Sequence, residues 1–373
     1  MNTTDAVPLS EGDDVAVKII FSMFVILGTS LCFADPVWQS DDTPPQFCLQ
    51  NFNAYGPMYA TNVAARTDRW TAELQVKPAC AVVHLQEVWN SSHITQVEDA
   101  LKFKYQITTP NRLARIGLMS LFRGEVLKQE TFNFNVNNEG GFLDGIRDNF
   151  GVKKAFHVVT ARVESLGEDI YFLNTHLHPT SSLVRITQLI DLLNWRLLNQ
   201  DRKMILSGDF NANFDTLEHS FVTSLLQVGD SLPLARGGYA PGTCTYCREN
   251  PLSWLSDDRV FDYIFFSNVG TAPTELKVVG GDINLRGTAR SPLSDHYGLR
   301  IQFSLEPAQA SVNFFEQEER RQRAIAVLTS AALILKDEKR VEFDLYKNEL
   351  LSLAQQLETR QGVFADYFMK SNY

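Results

Sequence analysis

Ser207-Gly208-Asp209-Phe210-Asn211-Ala212 follows the apolar run Met204-Ile205-Leu206. Alternate residues of an extended chain face the same way. A strand ending here therefore delivers a carboxylate and a carboxamide to one cleft, where they can hold a metal ion, a phosphoryl oxygen or an attacking water. The pattern recurs along the chain. Asn51-Phe52-Asn53 follows Phe47-Cys48-Leu49, Gln86-Glu87 follows Cys80-Ala81-Val82-Val83-His84-Leu85, and Asn174-Thr175-His176 follows Ile170-Tyr171-Phe172-Leu173. Ser294-Asp295-His296 stands near the end of the same region. Repeated apolar strands with polar ends predict a sheet structure whose strand exits meet in one place.

Working outward, short runs rich in Val, Ile, Leu and Phe predict strands over 47–51, 81–85, 117–122, 156–163, 170–175, 203–207, 261–266 and 297–303. Helices are predicted over 61–76, 92–103, 181–199 and 216–227, the third with apolar residues at 183, 186, 189, 190, 193 and 197 on one face. A strand with a helix after it, then strands in tandem, points to an α/β fold of mixed sheets packed on one another with helices outside. Two turn-rich excursions, over 133–149 and 235–258, are candidate binding lids or edge covers. Beyond 307 the chain turns to two helical stretches, over 316–336 and 346–358. They are expected to fold back as an appendage, with partner binding or oligomerisation as the functional alternative.

The segment Lys18 to Ala34 has a basic start, an apolar stretch and a small residue before Asp35, the pattern of a signal peptide. The acidic Asp5, Glu11, Asp13 and Asp14 before it place the expected initiation near Val17. A short membrane anchor is the alternative. The expected organisation is a leader over 1–34, a main domain over 35–306 and a helical appendage over 307–373, with secretion or a periplasmic setting. Formal charge is −10; removal of the leader leaves 33 basic and 40 acidic residues, a net −7. Such a surface exerts no long-range attraction on a polyanion, which disfavours nucleic acid unless a metal or a local basic patch inverts the field. No later segment reads as membrane-spanning, and a monomer is expected.

Export permits disulfides among Cys48, Cys80, Cys244 and Cys247, with three complete pairings open. Cys244-Thr245-Tyr246-Cys247 has the spacing of a redox pair or half a zinc site. With no second pair at metal spacing, a structural disulfide is the preferred reading. Cys48 and Cys80 lie in predicted core strands and read as apolar filling.

In order and spacing, Asn51-Phe52-Asn53, Leu85-Gln86-Glu87-Val88-Trp89, Asn174-Thr175-His176-Leu177, Leu206 to Ala212, Arg259-Val260-Phe261-Asp262-Tyr263 and Ser294-Asp295-His296 resemble the endonuclease/exonuclease/phosphatase superfamily. Gly151-Val152-Lys153-Lys154 and the loop Pro241 to Asn250 make the resemblance strongest to the secreted neutral sphingomyelinases. The resemblance implies a four-layered α/β/β/α sandwich of two mixed sheets, here with a C-terminal helical extension. It also implies hydrolysis of a phosphodiester or phosphomonoester with Mg2+, or another divalent cation such as Mn2+. Carried over, it makes Glu87, Asn53 and Asp295 metal ligands or supports, with Asp209 and Asn211 orienting water and phosphate or holding a second ion. His296 becomes the general base and His176 the phosphate contact or acid. Asp262 is expected to orient a histidine, His176 being the candidate. Asn53, Lys154, His178 and Asn250 are substrate-binding candidates, with Lys153 an alternative to Lys154.

Elementary chemistry supports these roles separately. A hard cation on oxygen donors stabilises the charge that develops on a phosphodiester under attack. Histidine exchanges a proton near neutral pH, and a carboxylate beside it retains its charge. His84 and His157 read as core residues, and Arg112 and Arg115 as counter-charges or surface ion pairs. The leading expectation is cleavage of sphingomyelin to ceramide and phosphocholine at a membrane surface. Phe142-Leu143, Tyr239 and Trp254-Leu255 are the candidates for seating the protein on phospholipid or sphingolipid. A secreted DNase-like nuclease, an inositol-phosphate phosphatase and a non-enzymatic binding or adhesion protein are the rivals.

Overall fold

A computed structural model describes residues 44–76, 79–110, 116–138, 153–164, 166–255, 257–270, 273–308, 314–336 and 340–370. The predicted leader, Phe142, Leu143, Arg112 and Arg115 lie outside them. The elements in chain order are β1 (Gln46–Asn53), α1 (Val63–Gln75), β2 (Val82–Gln86), α2 (Ser91–Leu101), β3 (Gln106–Thr108), β4 (Met119–Phe122), β5 (Gly124–Asn133), β6 (Ala155–Val163), β7 (Asp169–His176), α3 (Ser182–Leu198) and β8 (Met204–Asp209). They continue as α4 (Leu217–Leu225), β9 (Gly229–Asp230), α5 (Ser231–Arg236), β10 (Asp262–Ser267), β11 (Thr274–Asn284), β12 (Gly287–Thr288), β13 (Ser291–Pro292), β14 (Gly298–Pro307), α6 (Phe314–Leu335), α7 (Val341–Thr359) and α8 (Val363–Lys370).

The strands form two six-stranded sheets, ordered β11-β14-β1-β2-β4-β3 and β5-β6-β7-β8-β10-β9. Both are mixed, with β1/β2 and β7/β8 parallel and their other pairings antiparallel. Face parity assigns the layers. Phe47, Leu49, Val82, Phe172, Ile205, Ile264, Leu299, Ile301 and Phe303 fill the space between the sheets. Phe52, Val83, Leu85, Met119 and Leu121 point the other way and bury Trp70 and Leu74 of α1 and Val97 and Leu101 of α2. On the far side Leu173, Leu206 and Phe265 meet Leu189 and Leu193 of α3 and Phe221 and Leu225 of α4. The result is the four-layered α/β/β/α sandwich.

The C-terminal helices complete the last layer. Ala324, Leu328, Leu335, Phe343, Leu350, Leu357, Phe364 and Tyr367 join the same cluster as α3 and α4. Tyr367 donates its hydroxyl to the Leu226 carbonyl at 3.0 Å, and Tyr346 donates to Asp191 at 2.8 Å. Cys48 and Cys80 correct the expectation of apolar filling: they are bonded to each other, tying the start of β1 to the chain entering β2, and Cys244 is bonded to Cys247.

β5 and β11 lie outside the predicted strands, for a common reason. Both are sheet edges. β5 leaves Glu125, Lys128, Gln129 and Glu130 exposed, and β11 carries Gly280-Gly281 beside a register shift after Val278. Edge strands protected by charge, glycine and irregular pairing carry no apolar signature.

Candidate active site

The faces that the two sheets turn toward each other change character along the strands. β1 presents Phe47, Leu49, Asn51 and Asn53 at alternate positions; β7 presents Ile170, Phe172, Asn174 and His176; β8 presents Ile205, Ser207 and Asp209. β10, running the opposite way to β8, presents Phe266, Ile264 and Asp262. Each is apolar at one end and polar at the other, so the sandwich is dry at its base and ends in a polar cleft. The register places Asp262 opposite Asp209 and His176 beside Asp209.

At the centre, His296 Nδ1 and Asp262 Oδ2 are 2.7 Å apart, both groups buried. This corrects the expected partner: Asp262 orients His296, while His176 Nε2 faces Asp209 Oδ2 at 3.5 Å. His296 Nε2 lies 3.6 Å from the same Asp209 oxygen. Burial alone depresses the His296 pKa, but Asp262, Asp209 and Asp295 together hold it well above its ordinary value. Asp209, Asp262 and His296 present ligand atoms within 4.8 Å of one another, a spacing that can hold a divalent cation. The hydrogen bond occupies His296 Nδ1, so Nε2 and Asp209 are the faces left to a ligand.

Around this pair gathers negative charge. Asn53 Nδ2 donates to Asp209 Oδ2 at 2.9 Å and lies 3.4 Å from Glu87 Oε1, joining the two carboxylates. Asp295 is pushed up to about 7 by burial, with Glu87 and Asp209 adding repulsion against His296. Asp209 is also raised, by burial and by Asp262. Buried oxygen donors carrying uncompensated charge fit a hard divalent cation. Asn211 sits close by, its backbone N–H on Asp209 Oδ1 at 2.9 Å and its side-chain amide on the Leu177 carbonyl at 3.1 Å. Glu87 and Asn211 both have left-handed backbones, with φ of 61° and 51°. This costs an L-residue roughly 1 kcal/mol or more; Glu87 comes directly after the end of β2 and Asn211 two residues after the end of β8, where the chain bends sharply.

The opposite wall is basic. Lys154 is buried, with Nζ 5.7 Å from the Trp89 ring centroid, and Trp89 lies against His176. Burial, then Lys154, His296 and His178, hold His176 well below its ordinary pKa, so it is neutral. Its Nδ1 is buried with no hydrogen-bond partner among the described residues. His178 Nδ1 accepts the Ser181 N–H at 3.0 Å, which in the neutral ring leaves the proton on Nε2. Lys153 is exposed. Asn250 does not line this wall: its Nδ2 donates to the Ser294 carbonyl at 2.8 Å and its Oδ1 accepts the Leu252 N–H at 3.1 Å. The Nδ2 end anchors the loop carrying Asp295 and His296, and the Oδ1 end closes the turn of Asn250 itself.

The sequence islands also supply a layer below the site that sequence reasoning left without roles. Gln86 Nε2 donates to Asn51 Oδ1 at 2.9 Å and Asn174 Oδ1 at 2.7 Å, and Asn51 Nδ2 reaches Asp262 Oδ1 at 3.4 Å. This chain of amides bridges the sheets and fixes the carboxylate that holds His296. Arg66 of α1 had no signal. Its guanidinium donates to the carbonyls of Ala54, Tyr55, Thr61 and Leu293, joining the loop after Asn53 to the loop before Asp295. Helical spacing alone marks Arg66 as surface.

No family model matches the chain, and no curated protein does. Among solved structures it is similar to the endonuclease/exonuclease/phosphatase from Bacteroides vulgatus, at 17% identity over 70% of this chain and 99% of that one, TM-score 0.55. Sphingomyelinase C from Streptomyces griseocarneus is similar at 16% identity over 69% and 99%, TM-score 0.51. D. rerio TDP2, solved with a single-strand DNA product, is similar at 18% identity over 69% and 99%, TM-score 0.55. At these identities the likeness is one of fold.

Proposed function

Starting from the endonuclease/exonuclease/phosphatase fold, which those likenesses support, we propose that the chain is a divalent-metal-dependent phosphodiesterase and that its substrate is a phospholipid, sphingomyelin first. The observation that carries the activity is the buried Asp262–His296 pair facing Asp209. A bound Mg2+ or Mn2+ would offset the carboxylate charge and polarise a phosphoryl oxygen. Glu87, Asn53, Asp209 and Asp295 would hold it. With the charge of Asp209 and Asp295 offset by the cation, His296 would lose part of the influence that keeps it protonated, and its Nε2 would then take the proton of the attacking water while Asp262 stabilises the resulting imidazolium at Nδ1. The P–O bond to the leaving oxygen breaks as the water oxygen bonds to phosphorus, and the leaving oxygen takes its proton from solvent. Lys154, neutral His176 and the His178 Nε2–H receive the non-bridging oxygens on the basic wall. Asn211, fixed on the Leu177 carbonyl, orients the water beside Asp209.

Lipid is favoured by the rim. Tyr55 stands two residues after Asn53, its backbone N–H on Asn53 Oδ1 at 3.0 Å, with Tyr59 edge-on at 6.4 Å. Trp254 is 78% exposed, Met58 78% and Tyr59 74%, an apolar group beside a polar cleft. Large apolar side chains in such a position suit an interface of headgroups and acyl chains. A secreted or periplasmic setting follows from the leader expected over 1–34. A nuclease is the second reading, favoured by the hairpin β12–β13, whose Arg286 and Arg290 are exposed shortly before Asp295. Guanidinium groups so placed suit a phosphate backbone.

The test is phosphocholine release from sphingomyelin vesicles, with and without Mg2+ and with His296→Ala, run beside DNA digestion. Release that needs both the metal and His296 supports the lipid reading. Metal-dependent DNA cleavage without release moves the substrate to nucleic acid, and loss of neither activity in the variant refutes the mechanism.

A further inference from the structure

Cys244-Thr245-Tyr246-Cys247 has no part in the chemistry above, yet it touches the frame of the Asp262–His296 pair on several sides. Thr245 is fully buried, and its Oγ1 accepts the N–H groups of Phe261 at 3.0 Å and Asp262 at 3.1 Å. Its carbonyl accepts the N–H of Tyr297 at 2.7 Å. One residue is thereby bonded to the chain at Asp262 and immediately after His296. The Tyr246 ring stands edge-on to the His296 imidazole at 5.0 Å, and its hydroxyl accepts the Trp254 N–H at 2.6 Å. The Cys247 carbonyl accepts the N–H of Asn250, whose side chain holds Ser294.

The two cysteines closing this turn are joined, and they pack with Tyr297. Their sequence separation is only 3, against 32 for Cys48 and Cys80. A crosslink restrains the unfolded chain less as the loop it closes shortens. The main effect of Cys244–Cys247 is therefore local: it fixes the backbone of the two residues it encloses.

We propose that Thr245 and Tyr246, held by the Cys244–Cys247 bridge, are positioning residues for Asp262 and His296, and that reducing the bridge disarms the site. In the reduction a dithiol gives two electrons and two protons: the S–S bond breaks, Cys244 and Cys247 become thiols, and the dithiol closes to its own disulfide. The unbonded sulfurs must separate to contact distance within a buried cluster. Thr245 and Tyr246 lie between them and take up the movement. The inference rests on the phosphodiesterase reading only for its turnover readout.

The test compares oxidised and dithiothreitol-reduced wild-type protein with Thr245→Val, Thr245→Ser and the double variant Cys244→Ala/Cys247→Ala, all as the full chain. Mass spectrometry after alkylation counts free thiols. NMR follows the His296 imidazole N–H, and kcat and KM are measured on bis(4-nitrophenyl) phosphate with Mg2+. Thr245→Val is expected to lower kcat roughly 30-fold by leaving the buried Asp262 N–H and the part-buried Phe261 N–H without this acceptor, with KM within about twofold. Thr245→Ser keeps the hydroxyl and should restore it. The cysteine variant and the reduced protein should share the loss and the displaced His296 signal, and reoxidation of the wild type should reverse both. A cysteine variant with kcat within threefold of wild type overturns the proposal, as does full activity with Cys244 and Cys247 already free. If no phosphodiester is turned over, the phosphodiesterase reading fails while the NMR arm still decides. A His296 signal that moves on reduction supports the positioning, and one that stays put sinks it.

Discussion

Replacing Asp262 by Asn changes one atom at the centre of the site, and its effect follows from the two contacts of that side chain. Asp262 Oδ2 binds His296 Nδ1 at 2.7 Å, and Oδ1 receives Asn51 Nδ2 at 3.4 Å. An asparagine that still accepts from Asn51 must turn its NH2 toward His296. The imidazole Nδ1 then becomes an acceptor, and the proton sits on Nε2, the atom that should take one from water. The reverse orientation restores the reactive tautomer but sets two NH2 groups against each other and leaves a buried pair without acceptors. At about 1–3 kcal/mol for each unsatisfied buried group, the penalty is about 4 kcal/mol, or roughly a thousandfold in kcat. Loss of the carboxylate also removes the largest influence opposing burial, so the His296 pKa should fall. The assay is kcat on bis(4-nitrophenyl) phosphate at saturating Mg2+, with NMR titration of His296 and near-UV circular dichroism to confirm native packing. A correctly folded Asp262→Asn protein within tenfold of wild-type kcat would refute the assignment of His296 as base.

Gly208→Ala places a Cβ 2.0 Å from the Thr175 carbonyl oxygen at a position with φ of +154°. A loss of roughly 3–5 kcal/mol is expected in guanidinium unfolding, and near-wild-type stability would contradict the pairing of Thr175 with Gly208. Glu87→Gln should weaken divalent cation binding. Cation at a hundredfold excess over its Kd should stabilise the wild type by about 2.7 kcal/mol and the variant by much less, read as a thermal shift in Mg2+ or Mn2+; equal shifts would remove Glu87 from the ligand set. Burial, with His157 adding repulsion, pushes the His84 pKa down to about 3. The unfolded chain therefore binds the proton that the native state refuses, and stability is lost as pH falls from about 6.5 toward 3. Between pH 7 and 5 that is about 2 kcal/mol. The stability gap between wild type and His84→Gln should change by that amount over the interval, and a constant gap would show that His84 is not held neutral.

The polar strand ends were legible because strand parity is a local property. While Asp295 and His296 stand before the strand β14, Asn53, Glu87, His176 and Asp209 could each be read from a run of apolar residues and the polar group at its exit. The partner of Asp262 could not. It depends on which strands are neighbours across the two sheets, and β10 lies beside β8 with its inner face toward Asn51 and His296. Periodicity says which way a side chain points and nothing about what waits there. The same limit applies to Asn250, whose amide is taken at both ends by nearby backbone, and to His178, whose Nδ1 accepts the Ser181 N–H, both through turns that composition does not encode. α8 escaped because it is only 8 residues long, too short for its apolar spacing to stand out from a loop.

The alternation of the inner strand faces has a consequence for how the molecule fails. Phe172 and His176 share a face of β7, as Ile205 and Asp209 share a face of β8. A slip of one residue in either strand would turn its apolar rungs away from the interior and its site residue away from the cleft in the same movement. Misregistered strands therefore cannot yield a well-packed but inactive molecule. In any preparation the competent fraction should track the natively packed fraction, so titrating active sites would double as a count of correctly folded chains.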